Sequence, residues 1–249
     1  MMNYIEIAKI LDLDVGKDME AAEILDRLID NSNKKFDLKI LEGLIKGKAV
    51  IVFGAGPSLK TDIKKVKANE LWKKCTLIAA DGAIKALLEE NIIPEINVTD
   101  LDGDVKSIFK ANGEGTITLI HAHGDNIPSV KKYVPEFKNI IFGTTQVQES
   151  MESFKNIYNF GGFTDGDRCV FLARHFKART IALAGMDFGK VIGEYSGKYD
   201  FEFKLKKMEI AKKLLEEITG ERKIFNLTSE GEKLKNIPKI GIDEFKNMI

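Results

Sequence analysis

The feature that most restricts how this chain can fold is a series of short apolar runs with no polar alternation, nearly all ending in glycine or an acid. They are AVIVFG (49–54), TLIAAD (76–81), INVTD (96–100), TITLIHAHG (116–124), NIIFGT (139–144), TIALAGMD (180–187) and KIFNLT (223–228). Continuous apolar runs of this length suit strands buried on both faces, as in a parallel sheet covered by helices. Between them lie helical segments: ALLEEN (86–91), the stretch around PSVKKYV (128–134) and DRCVFLARHF (167–176). A last one, EFKLKKMEIAKKLLEEITG, places Met208, Ala211, Leu215 and Ile218 on one face, with Gly220 as its stop. Alternating β and α predicts a doubly wound α/β domain over 47–249 with a mostly parallel, Rossmann-like sheet. The pattern does not specify strand order.

Residues 1–46 have a different texture and read as a small helical N-terminal segment packed on that domain. Ile24, Leu25, Leu28 and Ile29 recur at helical spacing, and Leu38, Leu41, Leu44 and Ile45 continue the stripe after a break at Asn31 to Asn33.

Composition narrows the partners. The chain has 249 residues, with 38 Lys plus Arg against 38 Asp plus Glu. Zero net charge gives no reason to expect nucleic acid or an anionic membrane as partner. The two cysteines, Cys75 and Cys169, have no metal-ligand spacing and suit a reduced compartment. The first residues mix Glu6, Lys9 and Asp12 into the apolar ones, unlike a signal peptide, and no apolar run approaches the ~20 residues of a membrane span. The expectation is a cytoplasmic protein acting on small molecules, with a homo-oligomer allowed.

In such sheets ligands bind beyond the carboxyl ends of the strands, so the residues after each run carry the chemistry. GAGPSL (54–59) follows the first run. Gly54, Ala55, Gly56, Pro57 and Ser58 form a tight turn into a helix, where the positive helix end and backbone N–H groups suit a nucleotide's phosphates. An ordinary strand-to-helix turn is the alternative, because Leu59 stands where a third glycine would complete G-x-G-x-x-G.

TDLDGD (99–104) carries Asp100 and Asp102. If the strand continues, they project to one side with Cα atoms about 7 Å apart. Two such charges repel by roughly 2 kcal/mol at an effective dielectric of about 20, and Asp104 adds a third. A divalent cation offsets this, and oxygen-only ligands favour Mg²⁺; the alternative is a solvated acidic turn. Asp81, closing ADG, either joins that metal site, holds ribose hydroxyls, or caps a helix.

Three other turns carry candidates. In GGFTDGDR (161–168), Thr164 and Asp165 can hydrogen-bond a ring substrate and Arg168 can contact phosphate, although Thr164 with Asp167 also has capping-box spacing. In HAHGD (121–125), His123 can contact substrate or phosphate, or the histidines are structural and satisfied within the fold; H-x-H also opens some zinc sites, but His175 is the one histidine left to complete one. MDFGKVIGEYSGKYD (186–200) offers Asp187 to a substrate. Its Gly189, Gly193 and Gly197, with Lys190 and Lys198, suit either a mobile lid or a plain connection.

Taken in order, GAGPSL, AADG, TDLDGD, HAHGDN, GGFTDGDR and ALAGMDFG resemble archaeal 6-hydroxymethyl-7,8-dihydropterin pyrophosphokinases of the methanopterin pathway, from about residue 46 onward. Flagellin-glycosylation accessory proteins share a similar GAGPSL turn. Asp81-Gly82 followed by Asp100-Leu101-Asp102-Gly103, and Thr164-Asp165 with Ala173, are more distantly similar to thiamine pyrophosphokinases. There Thr99 replaces a glycine and Gly103 a serine, and Ala173 falls several positions late.

The resemblance implies transfer of diphosphate from ATP to the alcohol of a hydroxymethylpterin, releasing AMP. On it Asp100 and Asp102, with Asp81, hold Mg²⁺, while Gly54 to Ser58 seat phosphates. Asp165, Asp187 and His123 are candidate general bases, and Phe163 or Phe188 can stack on the pterin. A thiamine-type pyrophosphokinase, a non-catalytic nucleotide-binding or glycosylation-accessory module, and a methyl-donor or nicotinamide enzyme are the competing readings.

Overall fold

The computed structural model describes residues 2–32, 36–147, 154–197, 200–218 and 223–249. Lys198 and Gly220, named above, lie outside them. Three helices come first: α1 (Tyr4–Leu11), α2 (Val15–Asn31) and α3 (Lys39–Ile45). Strands and helices then alternate: β1 (Ala49–Phe53), α4 (Leu59–Ala68), β2 (Thr76–Ala80), α5 (Ala83–Glu89), β3 (Ile96–Thr99), α6 (Val105–Gly113), β4 (Ile117–Ala122), α7 (Ile127–Tyr133), β5 (Ile141–Thr145) and β6 (Ile157–Tyr158). They are followed by α8 (Asp165–His175), β7 (Thr180–Ala184), α9 (Phe201–Glu216), β8 (Lys223–Asn226) and α10 (Ile242–Lys246). Among the described residues no helix is long and apolar enough to cross a membrane.

Among the described residues, eight strands form one sheet in the order β6-β5-β4-β3-β2-β1-β7-β8, and every neighbouring pair is parallel. β1 to β6 step outward in one direction. β7 then returns to the free side of β1, where Ile51 pairs with Leu77 on one side and Ala182 on the other. Right-handed crossovers put helices of opposite stepping direction on opposite faces, and the two cores follow suit. Ile63 of α4, Leu87 of α5, Ile108 of α6 and Val130 of α7 pack with Ile51 and Leu77 on one face. Val170 of α8 and Leu215 of α9 pack with Val50, Val52 and Ile78 on the other. Successive strand residues thus point into different cores, which is why β1 and β2 are buried at every position.

The N-terminal helices clasp the sheet: α2 joins the first core through Leu25 and Ile29, whereas α1 and α3 join the second through Ile7, Leu41 and Ile45. β6 and α6 were not legible in the sequence. β6 is two residues long, too short for a pattern, and α6 has a polar outer face with its buried residues confined to Ile108, Ala111 and Asn112.

Candidate active site

Between β1 and β7 the direction of winding reverses, and beyond the carboxyl ends of the central strands lies a cavity of about 480 Å³. Most of the residues singled out above meet there. Gly54 to Gly56 arrive from β1, Asp81 from β2, Asp100 and Asp102 from β3, and His123 from β4. Thr164 and Asp165 come from the start of α8, and Asp187 from the turn after β7.

Asp81, Asp100 and Asp102 offer carboxylate oxygens that all lie within 4.8 Å of one another. They converge without the extended strand that would place Asp100 and Asp102 side by side. The strand does not continue past Thr99. Leu101 takes a left-handed φ of 66° and buries its side chain in the core, so the chain folds back and the Asp102 N–H meets Asp100 Oδ1 at 3.2 Å. Thr99 orients the cluster: its hydroxyl donates to Asp81 Oδ1 at 2.6 Å and accepts from the Leu101 N–H at 2.9 Å. A Cβ on Gly103 would stand 2.2 Å from Asp81 Oδ2, so only glycine leaves that carboxylate its place. Asp104 is not part of the cluster; it pairs with Lys85 at 3.4 Å.

The electrostatics of this arrangement are unbalanced. Burial, then the charge of Asp100, raises Asp81 to about 6. Asp102, exposed along the cavity wall, is pushed up to about 8 by desolvation inside the concavity and by Asp100 and Asp81. Asp165 is held well above the usual carboxylate range by burial and the same three acids. Asp100 stays ionised: burial opposes it, but the hydrogen bond and charge of His123, whose Nε2 lies 3.3 Å from Asp100 Oδ2, hold it well below the ordinary range. Three carboxyls, Asp81, Asp102 and Asp165, thus hold protons to a higher pH than an ordinary carboxyl does, and a cation would favour their release.

The glycine turn is a different kind of structure. Ser58 is 1% exposed; its N–H donates to Asp187 Oδ2 at 3.0 Å, and its hydroxyl lies 2.8 Å from both Asp187 Oδ2 and Asp62 Oδ2. The helix end expected to seat a phosphate is already filled by an internal carboxylate, and neither Pro57 nor Ser58 reaches the cavity wall. Gly54 and Gly56 serve close packing of the β1 and β7 turns: a Cβ on either would stand 2.7 Å from the Gly185 carbonyl oxygen.

Two more expectations need correction. Arg168 does not reach toward phosphate but lies behind the wall, donating from Nη2 to Gln146 Oε1 at 2.9 Å and to the Phe163 carbonyl at 3.1 Å. Thr164 is tied into the capping box, its N–H 2.7 Å from Asp167 Oδ1, although it still borders the cavity. His175 packs on Phe160 and Phe176 at the end of α8, so the H-x-H pair gains no third histidine.

The described part of the loop read as either a mobile lid or a plain connection, residues 186–197, packs against the turns at the strand ends. Gly193 rests where a Cβ would be 2.1 Å from the Ala55 carbonyl oxygen, and a Cβ on Gly82 would meet the Tyr195 carbonyl oxygen at 1.9 Å. Lys60 with Glu194, and Tyr195 with Glu89, fasten the loop to α4 and α5.

A family model described as "6-hydroxymethylpterin diphosphokinase MptE-like" matches residues 26–193. The chain belongs to that family. A protein of Methanocaldococcus jannaschii named 6-hydroxymethyl-7,8-dihydropterin pyrophosphokinase is 48% identical over 221 residues, covering 85% of this chain and 91% of that relative. Proteins of the same name from Methanothermobacter thermautotrophicus and Pyrococcus furiosus are 42% and 40% identical, covering 78% and 86% of this chain and 79% and 90% of their own lengths. Among solved structures, the MAf glycosyltransferase from Magnetospirillum magneticum AMB-1 superposes with a TM-score of 0.54 at 14% identity, over 88% of this chain and 38% of that one. At that identity the likeness is one of fold.

Within this MptE-like chain, the structure adds residues that sequence reasoning missed. Lys204 and Lys207, one turn apart on α9, border the cavity, and their charges favour the ionised forms of Asp81 and Asp100 respectively. In a chain this rich in lysine, their spacing carries no signal. The N-terminal segment contributes wall as well: Asp18 of α2 accepts from the Gly124 N–H and from Gln146 Nε2, both at 2.6 Å, and from the Tyr4 hydroxyl. Gln146 passes this network on to Arg168.

Proposed function

We propose that the protein transfers the diphosphate group of ATP to the hydroxymethyl oxygen of 6-hydroxymethyl-7,8-dihydropterin in a Mg²⁺-dependent reaction that releases AMP. The observation carrying this reading is the convergence of Asp81, Asp100 and Asp102 within 4.8 Å of one another, in a chain whose relatives bear that enzyme name. Their donor atoms are all oxygens and two of the three hold protons that a cation can replace, which fits a hard divalent ion such as Mg²⁺. Bound there, the metal would supply positive charge to the oxygens of the transferring group.

The alcohol oxygen attacks the β-phosphorus, the bond from that phosphorus to the α,β-bridging oxygen breaks, and AMP departs with that oxygen. Lys204 and Lys207 offset phosphate charge from the α9 side. Asp165, at the cavity but outside the three metal ligands, is placed to take the proton leaving the alcohol in its ionised form, which offsetting the charges of Asp100, Asp81 and Asp102 would favour. The backbone of Gly54 to Gly56 shapes the nucleotide's side of the cavity, and Asp187 fixes that turn. Most of the catalysis is then positioning and electrostatic stabilisation.

The test is incubation with ATP, Mg²⁺ and the reduced pterin alcohol, with AMP followed by chromatography. AMP forms only when all three are present. Equal AMP without the alcohol, or a preference for thiamine, would remove the reading.

A further inference from the structure

The cavity has unlike halves on either side of the acidic cluster. One holds the turns after β1 and β7; the other holds the ends of β4 and β5, bordered by Leu11, Leu13 and Asp18 from the N-terminal helices. β4 and β1 are three strand positions apart, about 14 Å at ordinary strand spacing. In the β4 half one buried ring nitrogen makes no hydrogen bond of ordinary geometry, although Gln146 lies close enough to act on the ring. His121 is 3% exposed and borders the cavity, yet its Nε2 has no hydrogen-bond partner among the described residues.

The other ring nitrogen decides what Nε2 can do. Nδ1 lies 3.2 Å from Thr144 Oγ1, and that hydroxyl lies 3.4 Å from the Ile120 carbonyl oxygen. A carbonyl only accepts, so the hydroxyl donates to it and accepts from Nδ1–H. The ring is therefore the Nδ1–H tautomer, with a bare lone pair on Nε2. Burial and the nearby Arg168 charge hold its pKa well below the usual value, in keeping with a neutral ring. His121 stacks on His123 with centroids 6.0 Å apart, and Phe163 also borders the cavity, so flat apolar surface lies beside this acceptor.

We propose that His121 reads the heterocycle of the alcohol substrate, its Nε2 accepting a hydrogen bond from an N–H on the ring edge, so that the alcohol fills the β4–β5 half and the nucleotide the β1–β7 half. The inference rests on the diphosphate-transfer reading above and adds which residue selects the alcohol and where it sits. A site built around one unsatisfied acceptor rejects a ligand that lacks the matching donor.

The experiment compares native enzyme with His121→Asn on the dihydropterin alcohol and on analogues methylated in turn at each N–H, measuring KM for alcohol and for ATP by AMP release. Asparagine keeps an amide near Nδ1 for Thr144 but places no atom at Nε2. The alcohol KM is expected to rise about tenfold or more while the ATP KM stays within about twofold. One methylated analogue, disfavoured at least about tenfold by the native enzyme, becomes equivalent to the parent in the variant. His121→Gln, which returns an acceptor near the Nε2 position, recovers most of the lost affinity. Should His121→Asn not fold, Thr144→Val frees the ring from its pin and raises the alcohol KM alone, by about threefold or more. Unchanged methylation penalties in a folded His121 variant, or a rise in the ATP KM instead, overturn the proposal while diphosphate transfer stands. No AMP from native enzyme with any alcohol sinks the reaction itself, and this inference with it.

Discussion

The turns leaving β1 and β3 are built from the same small and acidic vocabulary, yet they differ in how far their charge is satisfied. Around Ser58 most donors and acceptors meet: Asp62 accepts from the Gly185 N–H at 2.8 Å and from Ser229, and Asp187 accepts from the Ser58 N–H through Oδ2. Asp187 Oδ1, however, has no partner among the described residues, and burial, then Asp62, raises the pKa of that carboxyl. Around Asp100 the carboxyls face one another instead, and protons stand in for missing positive charge. At an effective dielectric of about 20, unit charges 4.8 Å apart repel by about 3.5 kcal/mol per pair. Glycine richness marks where backbone must turn or pack closely; uncompensated charge marks where a ligand is expected.

The largest effect that sharpens this contrast is on turnover. Asp102→Asn is expected to lower the rate of AMP release by about 10³-fold or more, while in calorimetry the metal-free protein melts at the same temperature near neutrality and at a higher one above pH 8, where the native Asp102 charge repels its neighbours. Turnover within tenfold of native would break the contrast on its ligand side.

Next in size is a stability effect on the closed turn. Asp62, 2% exposed, accepts from Gly185, Ser229 and Ser58. Asp62→Ala should cost about 3 kcal/mol or more in urea unfolding, since several buried donors lose their partner. Unchanged stability would mean that this turn is not held as described.

The pH dependence is more moderate. The native pKa values of Asp81 and Asp102 are raised, to about 6 and about 8. Their favourable contribution to metal-free stability is thus fully present below the unfolded carboxylate range and lost as pH rises through 6 to 8. Mg²⁺ competes with those protons, so its affinity should strengthen over the same window, by up to about tenfold per unit. Calorimetric titrations at pH 6 and pH 8 check both signs; affinity that is flat or falling with pH would contradict them.

The smallest effect concerns the loop over the strand ends. Gly193→Ala places a Cβ 2.1 Å from the Ala55 carbonyl oxygen, so the loop must lift. A several-fold rise in the ATP KM with a stability loss of about 1–3 kcal/mol is expected, read by steady-state kinetics and thermal melting; an unchanged KM would mean that the loop does not border the nucleotide.

Much of the fold was legible because burial on both faces leaves its mark in every residue of runs such as 49–53 and 76–80, and the carboxyl-end rule turned Asp81, Asp100 and Asp102 into site candidates. Strand order was not, since the return of β7 to β1 depends on a long crossover through β6 and α8 that no local pattern announces. The roles of Ser58 and Arg168 were misread for a related reason. Their partners are remote: Asp187 lies 129 residues from Ser58, and Gln146, which holds Arg168, is itself bonded to Asp18, 128 residues away. Thr99 showed itself only as a departure from the thiamine-type pattern, yet its hydroxyl is what aims Asp81.

What sets this cavity apart is the proposed grip of the acids at the ends of β2 and β3 on a cation held together with a polyphosphate. Its most direct test is calorimetric titration of Mg²⁺ at pH 8 into native protein and Asp102→Asn, each holding a non-hydrolysable ATP analogue. The account predicts saturable binding by the native protein and at least about 100-fold weaker binding by the variant. Indistinguishable isotherms from the two folded proteins would contradict it.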